Sequence, residues 1–356
     1  MSRVAKSPIT IPDGVEVSQS GEVLTVKGKL GGMTMNVHSS VTIKNTDNVL
    51  TFFPVKNSQK EEKTAWGKFM NDNEFNKLKD CRYGTVLFNV NDQYIGKSLD
   101  NYGEYSEGEI NIFRQFVRPG QTVIDVGAYI GTHTLFLSQA VGVDGTVIAF
   151  EPQRIIFQTL CANMALNHLT NVICKNVALG NEENFVRVPV LDPYLEQSFG
   201  GLELGSQQQG DLIQLVTLDS LSLESCNFIK IDVEGMEVPV LSGAGQTIDQ
   251  FKPILYIEND RQEHSNELIK LIASHDYHLY WHRPPLFNPD NFDGNPENIF
   301  GNIVSVNILC VHKSSPINIT SFEFSKILCN ELLIDFIKSI VYYLIEPKSV
   351  NLTRST

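Results

Sequence analysis
The sequence predicts an α/β protein built on a doubly wound, mostly parallel sheet, with a small antiparallel β domain ahead of it and a helical tail behind. Three observations predict this. Short apolar strands alternate with helix-compatible stretches through the middle of the chain. Residues 9–55 show instead the two-residue period of strands, broken by turn residues. Residues 123–138 (VIDVGAYIGTHTLFLS) form an apolar strand that passes through Gly127 and Gly131 into a helix-compatible run, the layout of a ligand-binding strand–turn–helix.

In chain order, Val15 and Val17, residues 23–26, Met33, Met35 and Val37, Val41 and Ile43, and residues 49–53 supply the alternating strands. Pro12-Asp13-Gly14, Ser20-Gly21 and Gly31-Gly32 supply the turns of a meander. Polar residues 56–63 read as a connector. A strand is expected at 85–90 and a helix at 103–117, opened by a capping box of Ser106 and Glu109 and stopped by Pro119-Gly120. Sheet strands follow at 122–125, 146–151, 172–177, 228–232 and 254–258. Helices are expected at 132–140, 155–167, from 238 onward, and at 265–275. Residues 322–345 carry apolar side chains around most of a helix surface.

The 356 residues, 42% hydrophobic and 19% charged, suit about two globular domains. A net charge of −13 and a pI near 5.1 argue against a general nucleic-acid binder. Residues 1–80 carry 11 Lys/Arg against 9 Asp/Glu, so +2 there stands against −15 for the rest, a step that marks a boundary. Six scattered cysteines with no C-x-x-C pair point to a reduced, cytoplasmic chain. No apolar segment follows Arg3 and Lys6, and the run 327–345 is broken by Glu331, Asp335 and Lys338, so neither a signal peptide nor a membrane span is expected.

Four successive strands end in carboxylates: Asp125, Glu151, Asp232 and Glu258. Glu151 lies 26 residues after Asp125 on the neighbouring strand, where it can accept both hydroxyls of a ribose. The nicotinamide fingerprint G-x-G-x-x-G is absent; the order is Asp125-x-Gly127-x-x-x-Gly131. An acid at that mouth repels a diphosphate but suits a sulfonium and an amine, so S-adenosyl-L-methionine is the expected cofactor. The bland alternative is an ordinary strand–turn–helix. Within 228–237 (FIKIDVEGME), Asp232 stands at a strand end and Glu234 one step beyond, while Glu237 fits a helix N-terminus. Lys230 faces the same side as Asp232 and pairs with an acid, for function or for structure alone. Asp232, Glu234 and Glu258 with His264 or His282 could gather a hard divalent ion, but no tight ligand spacing supports it, so no metal is expected.

The opening MSRVAKSPITIPDGVEVSQSGEVLTVKGKLGG with DNVLTFFP resembles the N-terminal domain of bacterial large-subunit ribosomal protein L-six over residues 1–67. The related second domain of that family, which carries much of its rRNA contact, has no counterpart in this sequence. A retained β module or fusion remnant stands beside a ribosome- or rRNA-contacting arm. FIKIDVEGMEVPVLSGA, with VIDVGAYIGTHT and PENIFGN, resembles the FkbM family of S-adenosylmethionine-dependent methyltransferases over residues 78–312. That resemblance implies a class I methyltransferase Rossmann-like fold and O-methylation of a hydroxyl on a sugar, glycan or related small molecule. By matching motif, Asp125, Gly127, Ala128, Tyr129 and Gly131 would line the methionine end of the cofactor. Thr132 and His133 would meet its carboxylate, Glu151 the ribose, and Asn176 and Val177 the adenine. Tyr129 stands where the family usually has Asn.

The expected organisation is therefore a β domain at 1–67, a linker at 68–82, a methyltransferase domain at 83–313 and a helical extension at 314–356. Transfer to an alcohol needs an aligned nucleophile and a base, for which Asp232 and Glu234 are the candidates. The aromatic, Asn- and Pro-rich stretch 281–300 is expected to stack on sugar faces or to form a structural loop, and residues 198–201 to form a lid over the acceptor. The competing reading is a ribosome-associated or inactive fusion protein.

Overall fold
In the computed structural model, the described residues are 9–54 (without 22, 30, 38–40 and 47), 75–201, 209–317, 319 and 325–327. The chain divides into two compact units, residues 1–74 and 75–356. In the first, the alternating residues form two three-stranded antiparallel sheets. One has the order β1 (Ile9–Thr10), β6 (Val49–Pro54), β5 (Val41–Thr46); the other runs β2 (Glu16–Ser20), β3 (Val23–Gly28), β4 (Gly31–Asn36). Leu24 and Val37 are buried against Val17 and Ile43, a small core set by the strand period.

The second unit opens with a hairpin, β7 (Asn76–Cys81) and β8 (Gly84–Asn89), so part of the expected linker is a strand paired in register with its neighbour. Two helices follow, α1 (Ile95–Tyr102) and α2 (Glu107–Phe116). At the start of α2, Ser106 Oγ bonds Glu109 Oε1 at 2.9 Å instead of accepting a backbone N–H as a capping box requires.

The central sheet contains β9 (Thr122–Val126), β10 (Thr146–Phe150), β11 (Val172–Lys175), β15 (Phe228–Ile231), β16 (Ile254–Glu258), β17 (Tyr277–His282), β18 (Asn307–His312) and β19 (Ser325–Lys326). Its order is β11-β10-β9-β15-β16-β18-β17-β19. The first five are parallel, and β18 enters antiparallel between β16 and β17. This is a Rossmann-like, doubly wound arrangement, as expected from the sequence. Strands β12 (Ala178–Leu179), β13 (Asn184–Val188) and β14 (Asp211–Val216) make a small side sheet.

Strands such as FIKI in β15 are buried throughout because helices cover both faces. On one face Ile124, Ile229 and Ile257 pack with Val240 and Leu241 of α5 (Glu237–Ser242), Ile248 of α6 (Gly245–Phe251), and Leu268 and Ile272 of α7 (Gln262–Ser274). On the other, Val123, Phe228 and Tyr256 meet Ile110 and Phe113 of α2, and Phe136 and Leu137 of α3 (Thr132–Val141). Helix α4 (Arg154–Leu166) is zipped to β8 by Asn163, whose Oδ1 accepts from Leu87 N at 2.7 Å, and by Asn167, whose Oδ1 accepts from Thr85 N at 2.9 Å.

Two expectations are corrected. The third sheet strand stops at Lys175, so Asn176 and Val177 lie in the turn before β12. Within the stretch expected to be helical, Ser325–Lys326 is a strand, because the outer edge of β17 offers backbone partners at Tyr280 and Trp281. The rest of 322–345 lies outside the described residues, Ile327 excepted. Among the described residues no helix is long and apolar enough to cross a membrane.

Candidate active site
The turn after β9 is shaped by what surrounds it. Gly127 has φ +74°, and a Cβ there would sit 1.8 Å from the Asp232 carbonyl oxygen. Gly131 has φ +90°, with Leu160 and Met164 each 2.7 Å from where its Cβ would be. The close approach that these glycines allow is made by the backbone just after β15 and by α4. The N–H groups of Gly127 and Ala128 both donate to Phe150 O, at 3.0 and 2.9 Å. Tyr129 holds a left-handed φ of +52°, fixed at both ends: its N–H donates to Glu151 Oε2 at 3.0 Å and its hydroxyl to Asp92 Oδ2 at 2.7 Å.

Beneath the turn lies a buried charge cluster. Lys230 stands in register beside Asp125 on the adjacent strand, and its Nζ is 3.2 Å from Asp125 Oδ1 and 3.5 Å from Asp232 Oδ2. It also donates to Gly127 O at 3.1 Å. Burial opposes the lysine's charge, but Asp125, Asp232 and Glu109 outweigh it and hold the pKa above the usual range. Asp125 Oδ2 accepts from Thr134 Oγ1 at 2.6 Å. Asp125 is therefore turned into the protein. His133 is buried too, its ring edge-on to Phe113 at 5.2 Å and its Nε2 4.0 Å from Glu109. Burial lowers its pKa. It is shielded from solvent, and its ring lies 6.0 Å from that of Tyr105.

Above this cluster, at the carboxyl ends of β9, β10, β15 and β16, opens a cleft of about 410 Å³. It brings together Gly127, Tyr129, Glu151, Asp232 and Glu234 of the expected site residues. Asp125, Ala128, Gly131, Thr132, His133, Asn176 and Val177 lie outside its lining. Asn176 Nδ2 donates to Glu151 O at 2.9 Å and Pro152 O at 3.1 Å, bracing the strand end from behind. Burial pushes the Glu151 carboxyl up to about 7, although the N–H groups of Gln153 and Tyr129 partly restrain it. With each oxygen held by one backbone donor, Glu151 keeps lone pairs for hydroxyls in the cleft.

The far end is crowded with acid. Glu234 also has a left-handed φ, +50°, and its Oε2 lies 2.5 Å from Arg261 Nη2. Burial and Asp232 push its pKa up to about 7 in spite of that partner. Burial, Asp232 and Glu234 hold Glu258 well above the carboxylate range, and its Oε2 is buried with no hydrogen-bond partner. Carboxylate oxygens of Asp232, Glu234 and Glu258 fall within 4.8 Å of one another, a set able to gather a divalent cation. His282 is not one of them; its Nδ1 is 2.8 Å from the Tyr256 hydroxyl. Glu237 closes a helix N-terminus, accepting from Gly235 N at 3.1 Å and Val233 N at 3.3 Å.

Sequence reasoning missed Asp92, Tyr105 and Arg261, all in the lining. They come from loops and element ends distant in sequence from the glycine turn, and only the Asn91-Asp92 turn signal hinted at one of them. The stretch 281–300 contributes Leu286 to the cleft, while Phe287 and Phe300 pack on Tyr102 at 5.4 and 5.9 Å. Buried Glu104 pins this loop by accepting from Asn288 Nδ2 and Phe292 N. Phe287 and Phe300 are thus used internally, as the structural-loop alternative has it, whereas Phe292 of the same stretch is exposed. Ser198, Gly200 and Gly201 line the cleft near Gln153, whose Nε2 donates to Phe199 O at 2.8 Å.

Family models match part of each unit. Residues 125–279 match the family model of the methyltransferase FkbM domain, and residues 11–70 that of ribosomal protein L6. The large ribosomal subunit protein uL6 of Ruthia magnifica subsp. Calyptogena magnifica is 48% identical over 68 residues, 19% of this chain. The chain covers 38% of that relative's length. Among solved structures, methyltransferase FkbM from Methylobacillus flagellatus KT aligns with TM-score 0.36 and 22% identity over 56% of this chain and 50% of its own. An S-adenosylmethionine-dependent O-methyltransferase from Thermotoga maritima aligns with TM-score 0.37 and 13% identity over 89% and 98%. Fibrillarin from Aeropyrum pernix, in complex with S-adenosyl-L-methionine, aligns with TM-score 0.36 and 9% identity over 83% and 98%.

Proposed function
We infer, starting from the methyltransferase FkbM domain of residues 125–279, that the chain is an S-adenosyl-L-methionine-dependent O-methyltransferase acting on a hydroxyl of a sugar, glycan or related small molecule. The observation that carries this is the single cleft shared by Gly127, Tyr129, Glu151, Asp232 and Glu234 at the carboxyl ends of four parallel strands. Its residues fit the donor. Glu151 has lone pairs for the ribose hydroxyls, the turn at Gly127 and Tyr129 would hold the methionine end, and the acidic rim suits a sulfonium. When bound, the donor supplies a methyl group on a cationic sulfur, ready for in-line displacement.

The chain's own residues do the rest. Asp232 would take the proton of an acceptor hydroxyl in the cleft as that oxygen is methylated. Asp232 is the better base of the two candidates. Its side chain is 39% exposed, whereas Glu234 is tied to Arg261. Lys230 steadies the Asp232 carboxylate from beneath, and Tyr129, braced by Asp92, fixes the wall opposite. The described cysteines are all free, which goes with a reducing, cytoplasmic setting.

Isothermal calorimetry of S-adenosyl-L-methionine with the full chain tests the reading, followed by labelled-donor incubation with hydroxyl acceptors and mass spectrometry. Binding lost in Glu151→Ala supports it. A chain that takes up no donor refutes it. The L6 match at residues 11–70 favours a second, compatible reading, contact with the large ribosomal subunit. Co-sedimentation with purified subunits in about 0.1 M salt tests this, and a chain that stays in the supernatant rules it out.

A further inference from the structure
The charge layout of the cleft narrows the acceptor, and this step rests on the methyl-transfer reading. Six carboxylates line the cleft: Asp92, Glu151, Asp232, Glu234, Glu258 and Asp260. Arg261 is the one cationic side chain among the described lining residues, and its charge is already divided between Glu234 at 2.5 Å and Asp260 at 3.5 Å. Lys230, below the floor, is divided in the same way between Asp125 at 3.2 Å and Asp232 at 3.5 Å.

The two ends differ. At the Glu151 end the carboxylates are answered by the protein, Glu151 by two backbone N–H groups, and Asp92 by the Tyr129 hydroxyl and Tyr94 N. At the Asp232 end the answer is partial: Arg261 is shared by Glu234 and Asp260, and Lys230 by Asp125 and Asp232. Glu258 Oε2 is buried without a donor, and Asp232, Glu234 and Glu258 present oxygens within 4.8 Å of each other. Over the lining as a whole, the carboxylates outnumber Arg261 and a donor with one net positive charge, even with Glu151, Glu234 and Glu258 protonated. A phosphate or carboxylate on the acceptor would meet repulsion from each of them. An ammonium would supply up to three N–H donors where protein donors are missing.

We propose that the acceptor is a hydroxyl compound carrying a protonated amine, with the ammonium seated among Asp232, Glu234 and Glu258 and the reacting hydroxyl turned toward the donor. Nucleotide sugars, sugar phosphates and uronic acids are excluded as acceptors by the same charges.

The test uses the full chain loaded with S-adenosylhomocysteine, whose uptake is measured first by calorimetry. Glucosamine, N-acetylglucosamine and glucose 6-phosphate are then compared as ligands by saturation-transfer NMR and competition. Glucosamine is expected to bind at least about tenfold more tightly than its uncharged N-acetyl counterpart, with the margin shrinking as salt is added. Glucose 6-phosphate is expected not to compete. Asp260→Asn, which removes one rim charge, is expected to narrow the margin. Equal or absent binding of the two amino-sugar forms overturns the proposal, as does tighter binding of the phosphate. Binding of N-acetylglucosamine that appears only with magnesium also overturns it, since the carboxylates then serve a metal. Failure to take up S-adenosylhomocysteine removes the methyl-transfer reading itself, whereas uptake without amine preference removes only this step.

Discussion
Glu151 is held by two backbone donors, yet burial sets its pKa near 7, so its charge changes in the pH range where the protein would work. An ionised Glu151 accepts from both ribose hydroxyls, so donor affinity is expected to rise with pH through this window. Glu151→Gln should weaken donor binding by about tenfold to a hundredfold and flatten that rise, as read by calorimetry at several pH values. Stability moves the other way. Because the folded-state pKa is raised from 4.5 to about 7, the folded chain holds a proton that the unfolded chain has released in that interval. This contribution to stability is present at low pH and is lost as pH climbs toward 7. For Asp232→Asn, the expected result is a fall in turnover of about a hundredfold or more with donor affinity nearly unchanged, measured on whichever acceptor the binding comparison selects.

At the scale of elements, the five parallel strands and the acids at the ends of four of them are legible in the sequence, because buried parallel strands advertise themselves as short apolar runs, whereas the antiparallel β17 and β18 are not. Glu151 could be placed by its spacing from Asp125. The fate of Asp125 itself could not, since nothing in the linear pattern says whether a carboxylate near a strand end turns to solvent or inward. Register decides it: β15 sets Lys230 beside Asp125, and the pair closes inside the sheet. Asp92, Tyr105 and Arg261 reach the cleft from elements far from the glycine turn, a juxtaposition no local period records. The buried pair makes a direct prediction. Lys230→Met leaves Asp125 uncompensated and should cost about 3–5 kcal/mol in urea denaturation, whereas Lys230→Met combined with Asp125→Asn should recover most of that loss. A double variant no more stable than the single one would show that the two charges do not depend on each other.

At the scale of the whole molecule, residues 1–74 and 75–356 have separate cores, one small and one built on a central sheet. Scanning calorimetry is expected to resolve two unfolding transitions, with S-adenosyl-L-methionine raising only the one that belongs to the larger unit. A single transition shifted as a whole by the ligand would mean that the two units unfold together. The pairing of Ser325–Lys326 with Tyr280–Trp281 carries a different consequence. A chain shortened to end at residue 313 would uncover the peptide groups along that side of β17. Strands left bare in this way recruit one another between molecules, so such a shortened protein should form oligomers through sheet extension in gel filtration, while the intact chain does not use that route.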